Sequence, residues 1–170
     1  MDTTIMELLR PAALLAATMT MGIGAGVYQL YAFAIMPGLR RTDDRTFVGA
    51  FQQIDTAIVG PFLLIFFVGA LVFTALAGAF HLGVGERSAL PWIGGAFALQ
   101  LAVLIITIAI NVPLNDEIKA AGDPGEIADL GAVRGRFNEA KWAGWNLIRV
   151  VASTVAFGSL AWALVLHGRL

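Results

Sequence analysis

The chain has 170 residues, 58% of them hydrophobic and only 14% charged, with no cysteine and a formal net charge of −1; its mean hydropathy is +0.79. A soluble domain carries roughly a quarter charged residues, so this composition is that of a chain dissolved in lipid rather than water. The charge balance gives no basic field for nucleic acid, and the lack of cysteine excludes disulfide scaffolds, Cys-ligated zinc, iron–sulfur clusters and thiol chemistry.

Four apolar stretches, residues 11–36, 58–80, 91–112 and 145–166, each approach or exceed the roughly 20 residues that cross a bilayer core. Backbone groups in lipid must be satisfied within their own segment, so each is expected to be a helix. The expected fold is a single all-α membrane domain over residues 1–170, an antiparallel bundle of four transmembrane helices with an amphipathic segment before the last.

The first stretch follows Arg10 but is too long and uniform for a cleaved signal, and Asp2 and Glu7 stand beside that single arginine; it reads as a mature helix. Pro37 and Gly38 are expected to end it, and Asp43 or Asp44 to cap the next helix. That helix is expected to begin outside the lipid, with Phe47, Phe51 and Asp55 on one face. Small residues mark the expected close approaches: Gly22 with Gly26, Gly69 followed by Phe73 and Ala77, and Gly94 with Ala98. A short polar connection over residues 81–90 leads to the third stretch. Pro113 disfavours helix at Val112 and is expected to stop that stretch there. Residues 116–121 then read as one short helical turn, 122–125 as a break, and 126–141 as an amphipathic helix running into the last span.

Trp142, Asn146 and Arg149 fall at i, i+4 and i+7 at the mouth of the last stretch, with Trp145 beside them, and so line one stripe. Two readings stay open: an interfacial Trp/Arg anchor, or a functional group, since a charge inside a membrane helix is costly without a partner. Lys and Arg concentrate in the first and third connections (Arg40, Arg41, Arg45, Lys119, Arg134, Arg136, Lys141, with Arg149 at the edge), against Arg10, Arg87 and Arg169 on the other side. The positive-inside rule therefore puts the first and third connections in the cytoplasm of a multi-pass cell-membrane protein.

In an antiparallel arrangement the end of the first span, the start of the second, the end of the third and the start of the fourth share one side. The polar residues collect there: Tyr28, Gln29 and Tyr31; Gln52, Gln53 and Asp55; Asn111 and Asn115; Trp142, Trp145, Asn146 and Arg149. Such clustering suggests a polar pocket opening between the helices, although the same groups could merely cap helices and satisfy one another. Asp55 near Arg149 reads either as a buried salt bridge or as a general base whose charge the arginine moderates. His81 and His167, at the far ends of their helices and without a carboxylate cluster, are too few for a metal site, and no phosphate loop, nucleophile elbow or zincin motif occurs.

Three elements in order, Gly24-Ala25-Gly26-Val27-Tyr28 leading to Met36-Pro37-Gly38-Leu39, then Asn111-Val112-Pro113-Leu114-Asn115, then Trp142 with Trp145-Asn146-x-x-Arg149, make the chain resemble the anthrone-oxygenase-like family of small four-helix integral membrane proteins. The resemblance implies four transmembrane helices and, for the characterised branch, oxidation of polyketide anthrones to anthraquinones by molecular oxygen. Such chemistry asks for a base and for stabilisation of an anion, with no metal or other cofactor. Asp55 is then the candidate base, with Arg149, Asn111 and Asn146 to hold the oxyanion. Tyr28, Trp142 and Trp145 would stack on a flat aromatic substrate, with Tyr31, Gln53 and Asn115 as further substrate contacts. The competing reading is a non-catalytic accessory protein holding a lipid or partner helix in the same pocket; a transporter is disfavoured by the lack of an inverted repeat.

Overall fold

A computed structural model describes residues 3–60, 64–82 and 87–168. Asp2, Arg169, residues 61–63 of the expected second span and residues 83–86 of the second connection lie outside the described residues. Within them all regular structure is helical, with no strand. Helix α1 covers residues 3–39, passing through a widened π-type turn at Tyr31–Ile35 before its last segment, Met36–Leu39. Helix α2 is Asp44–Ile58. Helix α3 covers residues 64–81 and starts on a second π-type turn, Leu64–Val68. Helix α4, Leu90–Ala120, contains a third such turn at Thr107–Asn111. Helix α5 is Leu130–Phe137 and helix α6 is Glu139–His167.

Three helical stretches are long and apolar enough to cross a membrane, Ile5–Leu39, Leu90–Ala120 and Leu130–His167, and Ile65–His81 is a shorter apolar helix. Four helices touch in a ring, α1 against α3 and α6, and α4 against α3 and α6. Side-chain contacts tie them together along their length. Arg10 donates to the Phe80 carbonyl while Gly24 lies against that of Phe66; Gly22 meets Phe157 while Asn146 donates to Tyr28 O. Similarly Trp92 meets Trp162 and Thr107 meets Arg149.

Alanines fill much of the seam, with Ala13, Ala17, Ala70, Ala77, Ala96, Ala156 and Ala163 all buried, while Leu15, Met19, Ile23, Val72, Ile105, Val151 and Val155 face outward. Small residues inside and large apolar ones outside is the pattern of helices that associate by close packing without a hydrophobic driving force. Two glycines enforce this approach: a Cβ at Gly22 would sit 2.8 Å from the Phe157 ring, and one at Gly24 would sit 3.0 Å from the Phe66 carbonyl oxygen. Gly26 and Gly94, expected to serve the same purpose, have open space around them. Thr18, Thr20 and Thr74 bond back to carbonyls in their own helices, which satisfies hydroxyls that have no water to meet.

Several expected boundaries move. Pro37 and Gly38 do not end α1, and Pro113 does not end α4: both helices run on, to Leu39 and Ala120. A proline inside a helix clashes with the carbonyl four residues back. In both helices a five-residue widened turn stands immediately upstream, at Tyr31–Ile35 and Thr107–Asn111, and a helix can bend through such a turn instead of stopping. Residues 116–121 are accordingly the continuation of α4 rather than a separate turn. The expected helix over residues 126–141 begins only at Leu130 and breaks at Asn138, whose φ is +51°; its side chain accepts from Lys141 N and starts α6.

A second layer covers one end of the ring. Asp43 caps α2 by accepting from the Thr46 amide and hydroxyl, which holds its carboxyl below the usual range. Phe47, Phe51, Ile118, Val133, Phe137 and Trp142 form the core beneath α2, α5 and the end of α4. Gln52 ties α2 to α4 by donating to Ile118 O (2.8 Å) and Gly122 O (3.0 Å), two carbonyls a helix end leaves free. Arg134 stacks on Phe47 at 4.2 Å and bonds to Thr42 O, Asp44 and Glu139.

Candidate functional site

Where this cap meets the ring of helices there is a chamber of about 260 Å³, near the lower limit of about 300 Å³ for small-molecule sites. Every long element contributes to it. Helix α1 brings Tyr28 and Tyr31, α2 brings Asp55, α3 brings Phe67, α4 brings Thr107, Asn111, Asn115, Asp116 and Lys119, and α6 brings Trp142 and Arg149. All three π-type turns border it directly, carrying Tyr31, Phe67, and both Thr107 and Asn111. Such turns re-aim side chains that a regular helix would send elsewhere.

One wall is a hydrogen-bonded chain. Lys119 Nζ lies 2.9 Å from Asp55 Oδ2 and 3.1 Å from Asp116. Asn115 Nδ2 donates to Asp55 Oδ1 at 2.7 Å, and Trp142 Nε1 donates to Asn115 Oδ1 at 2.7 Å. Asn111 Nδ2 donates to the Trp142 carbonyl at 3.3 Å. The carboxylate is thus fixed by a cation and an amide, and the indole is fixed by the same amide.

The opposite wall is cationic. Arg149, only 5% exposed, donates to Thr107 Oγ1 at 3.2 Å and Asn146 Oδ1 at 2.9 Å, while Asn146 donates to Tyr28 O at 3.1 Å. Its guanidinium carbon stands 4.7 Å from the Tyr28 ring centre and 5.5 Å from that of Trp142, distances at which a cation is attracted to an aromatic face. Tyr28 packs edge-on against Phe67. Arg149 Nε and Asn111 Oδ1 are buried without a hydrogen-bond partner among the described residues.

Of the residues expected at the site, Tyr28, Tyr31, Asp55, Asn111, Asn115, Trp142 and Arg149 line this one chamber. Asn146 lies behind Arg149 and orients it. Two do not join them. Gln53 is exposed on the outer face of α2 and borders a shallow surface depression with Thr56 and Pro124, because it sits one residue from buried Gln52 and hence about 100° round the helix. Trp145 is half-buried, one residue from buried Asn146, and is not among the chamber's lining residues. The expected pairing of Asp55 with Arg149 is also absent. Lys119 takes the carboxylate instead, because α4 continues past Pro113 and carries the lysine to it.

Lys119, Thr107 and Phe67 were not anticipated. A pattern for two of them is present in the sequence: Thr107, Asn111, Asn115 and Lys119 recur every fourth residue, a stripe visible once the helix is allowed to pass the proline. At the far end of the ring His81 and His167 come together, ring centres 5.3 Å apart, with His81 Nδ1 2.6 Å from Ala77 O. Among the described residues no group of three or more His, Asp or Glu forms a metal-binding cluster.

Described residues that are helical throughout their regular structure, with three helices long and apolar enough to cross a membrane and a chamber lined by polar groups, define a helical protein of membrane type. Residues 47–159, which are most of the chain and all of the chamber except its α1 wall, match the family model described as anthrone oxygenase. The protein belongs to the anthrone oxygenase family. Comparison with curated proteins and with solved structures gives no match.

Proposed function

We propose that the protein is a multi-pass cell-membrane oxygenase that oxidises a flat, fused-ring aryl ketone of the anthrone type with molecular oxygen. Four helices, α1, α3, α4 and α6, cross the bilayer as an antiparallel bundle, supported by their outward-facing Leu, Ile and Val side chains and by the alanine seam between them. The cap end, rich in Arg and Lys, faces the cytoplasm. The observation that carries the reading is the chamber itself: a carboxylate held by Lys119 and Asn115 on one side, a guanidinium on the other, and the rings of Tyr28, Tyr31 and Trp142 between them.

That arrangement suits the chemistry step by step. The Asp55 carboxylate takes a proton from the ring methylene, and the electron pair left behind spreads onto the carbonyl oxygen, where Arg149 and Asn111 meet it. Molecular oxygen bonds to the same carbon, and the peroxide formed recovers the proton. Asp55 then takes the second hydrogen of that carbon; the carbon–oxygen double bond forms, the O–O bond breaks, and the departing hydroxide leaves as water. One O2 is consumed per substrate, with one atom retained in the quinone and one released as water. Trp142, Tyr28 and Phe67 supply the flat apolar walls.

The test is oxygen uptake by the detergent-solubilised protein with an anthrone, read alongside quinone absorbance and corrected for the spontaneous reaction. One-to-one uptake and product formation, absent in heat-treated protein, is the expected result. Ligand binding without uptake above background would leave a binding protein in place of an enzyme.

A further inference from the structure

The charges around the chamber are not distributed evenly. Its carboxylates, Asp55 and Asp116, both lie against Lys119, and Asp116 is 62% exposed at the rim, where water screens it. Arg149, on the inner wall, forms no ion pair with a described residue: its partners are a threonine hydroxyl and an asparagine carbonyl. The other titratable groups on the cavity, Tyr28 and Tyr31, are phenols, which in water ionise only near about pH 10. A guanidinium buried among neutral groups is expensive unless an anion joins it. One of its N–H groups, Nε, is buried and lacks any hydrogen-bond partner among the described residues.

We infer that the chamber binds its ligand more tightly as an anion, a phenolate or enolate oxygen of a fused-ring molecule set against Arg149, than as the neutral ketone or phenol. The inference rests on the aromatic-ligand reading above and adds to it the charge state of the bound molecule. Three features select that class. The cation is the only pole on the inner wall, so a single oxyanion suffices. Val27, Ile58 and Phe67 line the rest of the cavity, so the body of the ligand is apolar. The guanidinium carbon lies 4.7 Å from the Tyr28 ring centre and 5.5 Å from that of Trp142, so flat rings already border the cation, and its N–H groups suit the oxygen of an aryl oxyanion. It follows that the enolate left when Asp55 takes the proton is held against Arg149, and that products or analogues bearing an acidic ring hydroxyl bind more tightly than their ethers.

The full-length protein in detergent micelles, titrated with a monohydroxyanthraquinone and with its methyl ether, tests this. The phenolate absorbs to the red of the phenol, so the ionisation of the bound dye is read directly. The expected result is an apparent pKa of the bound dye at least about two units below that in empty micelles, and binding at least about tenfold tighter than the ether at a pH about one unit below the pKa of the free dye. An unshifted or raised dye pKa, or equal binding of dye and ether, overturns the inference while leaving the aromatic pocket intact. Binding of neither compound overturns both readings. Stronger competition by oleate than by unlabelled hydroxyanthraquinone would show an anion site that does not read rings, and also overturns it. The wild-type protein carries the test alone; R149Q, where it folds, is expected to bind dye and ether alike.

Discussion

Replacing Asp55 by asparagine removes the proposed base while disturbing little else. The amide has the size of the carboxylate, and Asn115 Nδ2, which donates to Asp55 Oδ1 at 2.7 Å, still finds a carbonyl oxygen there. Lys119 loses one of two partners but keeps Asp116 at 3.1 Å. With the amide oxygen kept toward Asn115, the new NH2 faces the Lys119 ammonium at a side chain only 9% exposed, so the expected loss of stability is about 1–3 kcal/mol. Activity should respond very differently. A positioned base contributes roughly 10²- to 10⁴-fold, equivalent to about 3–5 kcal/mol of barrier at 1.36 kcal/mol per decade. Both quantities are measurable on one preparation: oxygen uptake with an anthrone for the rate, and tryptophan fluorescence against temperature for stability. A variant that unfolds within a few degrees of wild type yet turns over at least a hundredfold more slowly fits the mechanism. If D55N keeps more than a third of the wild-type rate, Asp55 is not the base and the mechanism fails, whatever happens to stability.

Trp142→Phe keeps a ring on the chamber wall but deletes the indole N–H that bonds to Asn115. The half-buried Asn115 acceptor loses its donor, at a cost of about 0.5–1.5 kcal/mol, and the looser amide should lower kcat more than it raises KM. Restoring the rate by W142Y instead would show that ring polarity matters and the indole geometry does not. Gly24→Ala presses a methyl to 3.0 Å from the Phe66 carbonyl oxygen. Because backbone must yield, thermal unfolding should register an overpacking cost of roughly 1–3 kcal/mol, while the same change at Gly26, with open space, should leave stability unaltered. Asn138, at φ +51°, both tolerates the left-handed region and caps α6; alanine there should cost about 1–2 kcal/mol through strain and the lost cap. Glycine should cost no more than a few tenths, and equal melting temperatures for the two variants would refute that account.

The chemistry of lipid and water made much of this protein legible in one dimension. A length of apolar chain near the bilayer thickness with few charges has no alternative to helix, so the all-helical class and the apolar stretches followed from composition and run length. The grouping of polar residues followed as well, since alternating helix direction brings every second connection to one side. Seven of the residues singled out on that basis, from Tyr28 to Arg149, do line one chamber. What the order of residues could not decide was how each helix ends and turns. Pro37 and Pro113 read as stops under a local rule, and only the widened turns upstream, paid for by packing on neighbouring helices, let the chain run on. That continuation carried Lys119 to Asp55 and left Arg149 without a carboxylate. Gln53 and Trp145 failed for a related reason: a residue one step along a helix is rotated by about 100°, and which of two adjacent polar side chains faces inward is set by the partner helix. Charge pairing inside the chamber is therefore a property of three-dimensional register, because electrostatic attraction depends on distance in space and the sequence records only distance along the chain.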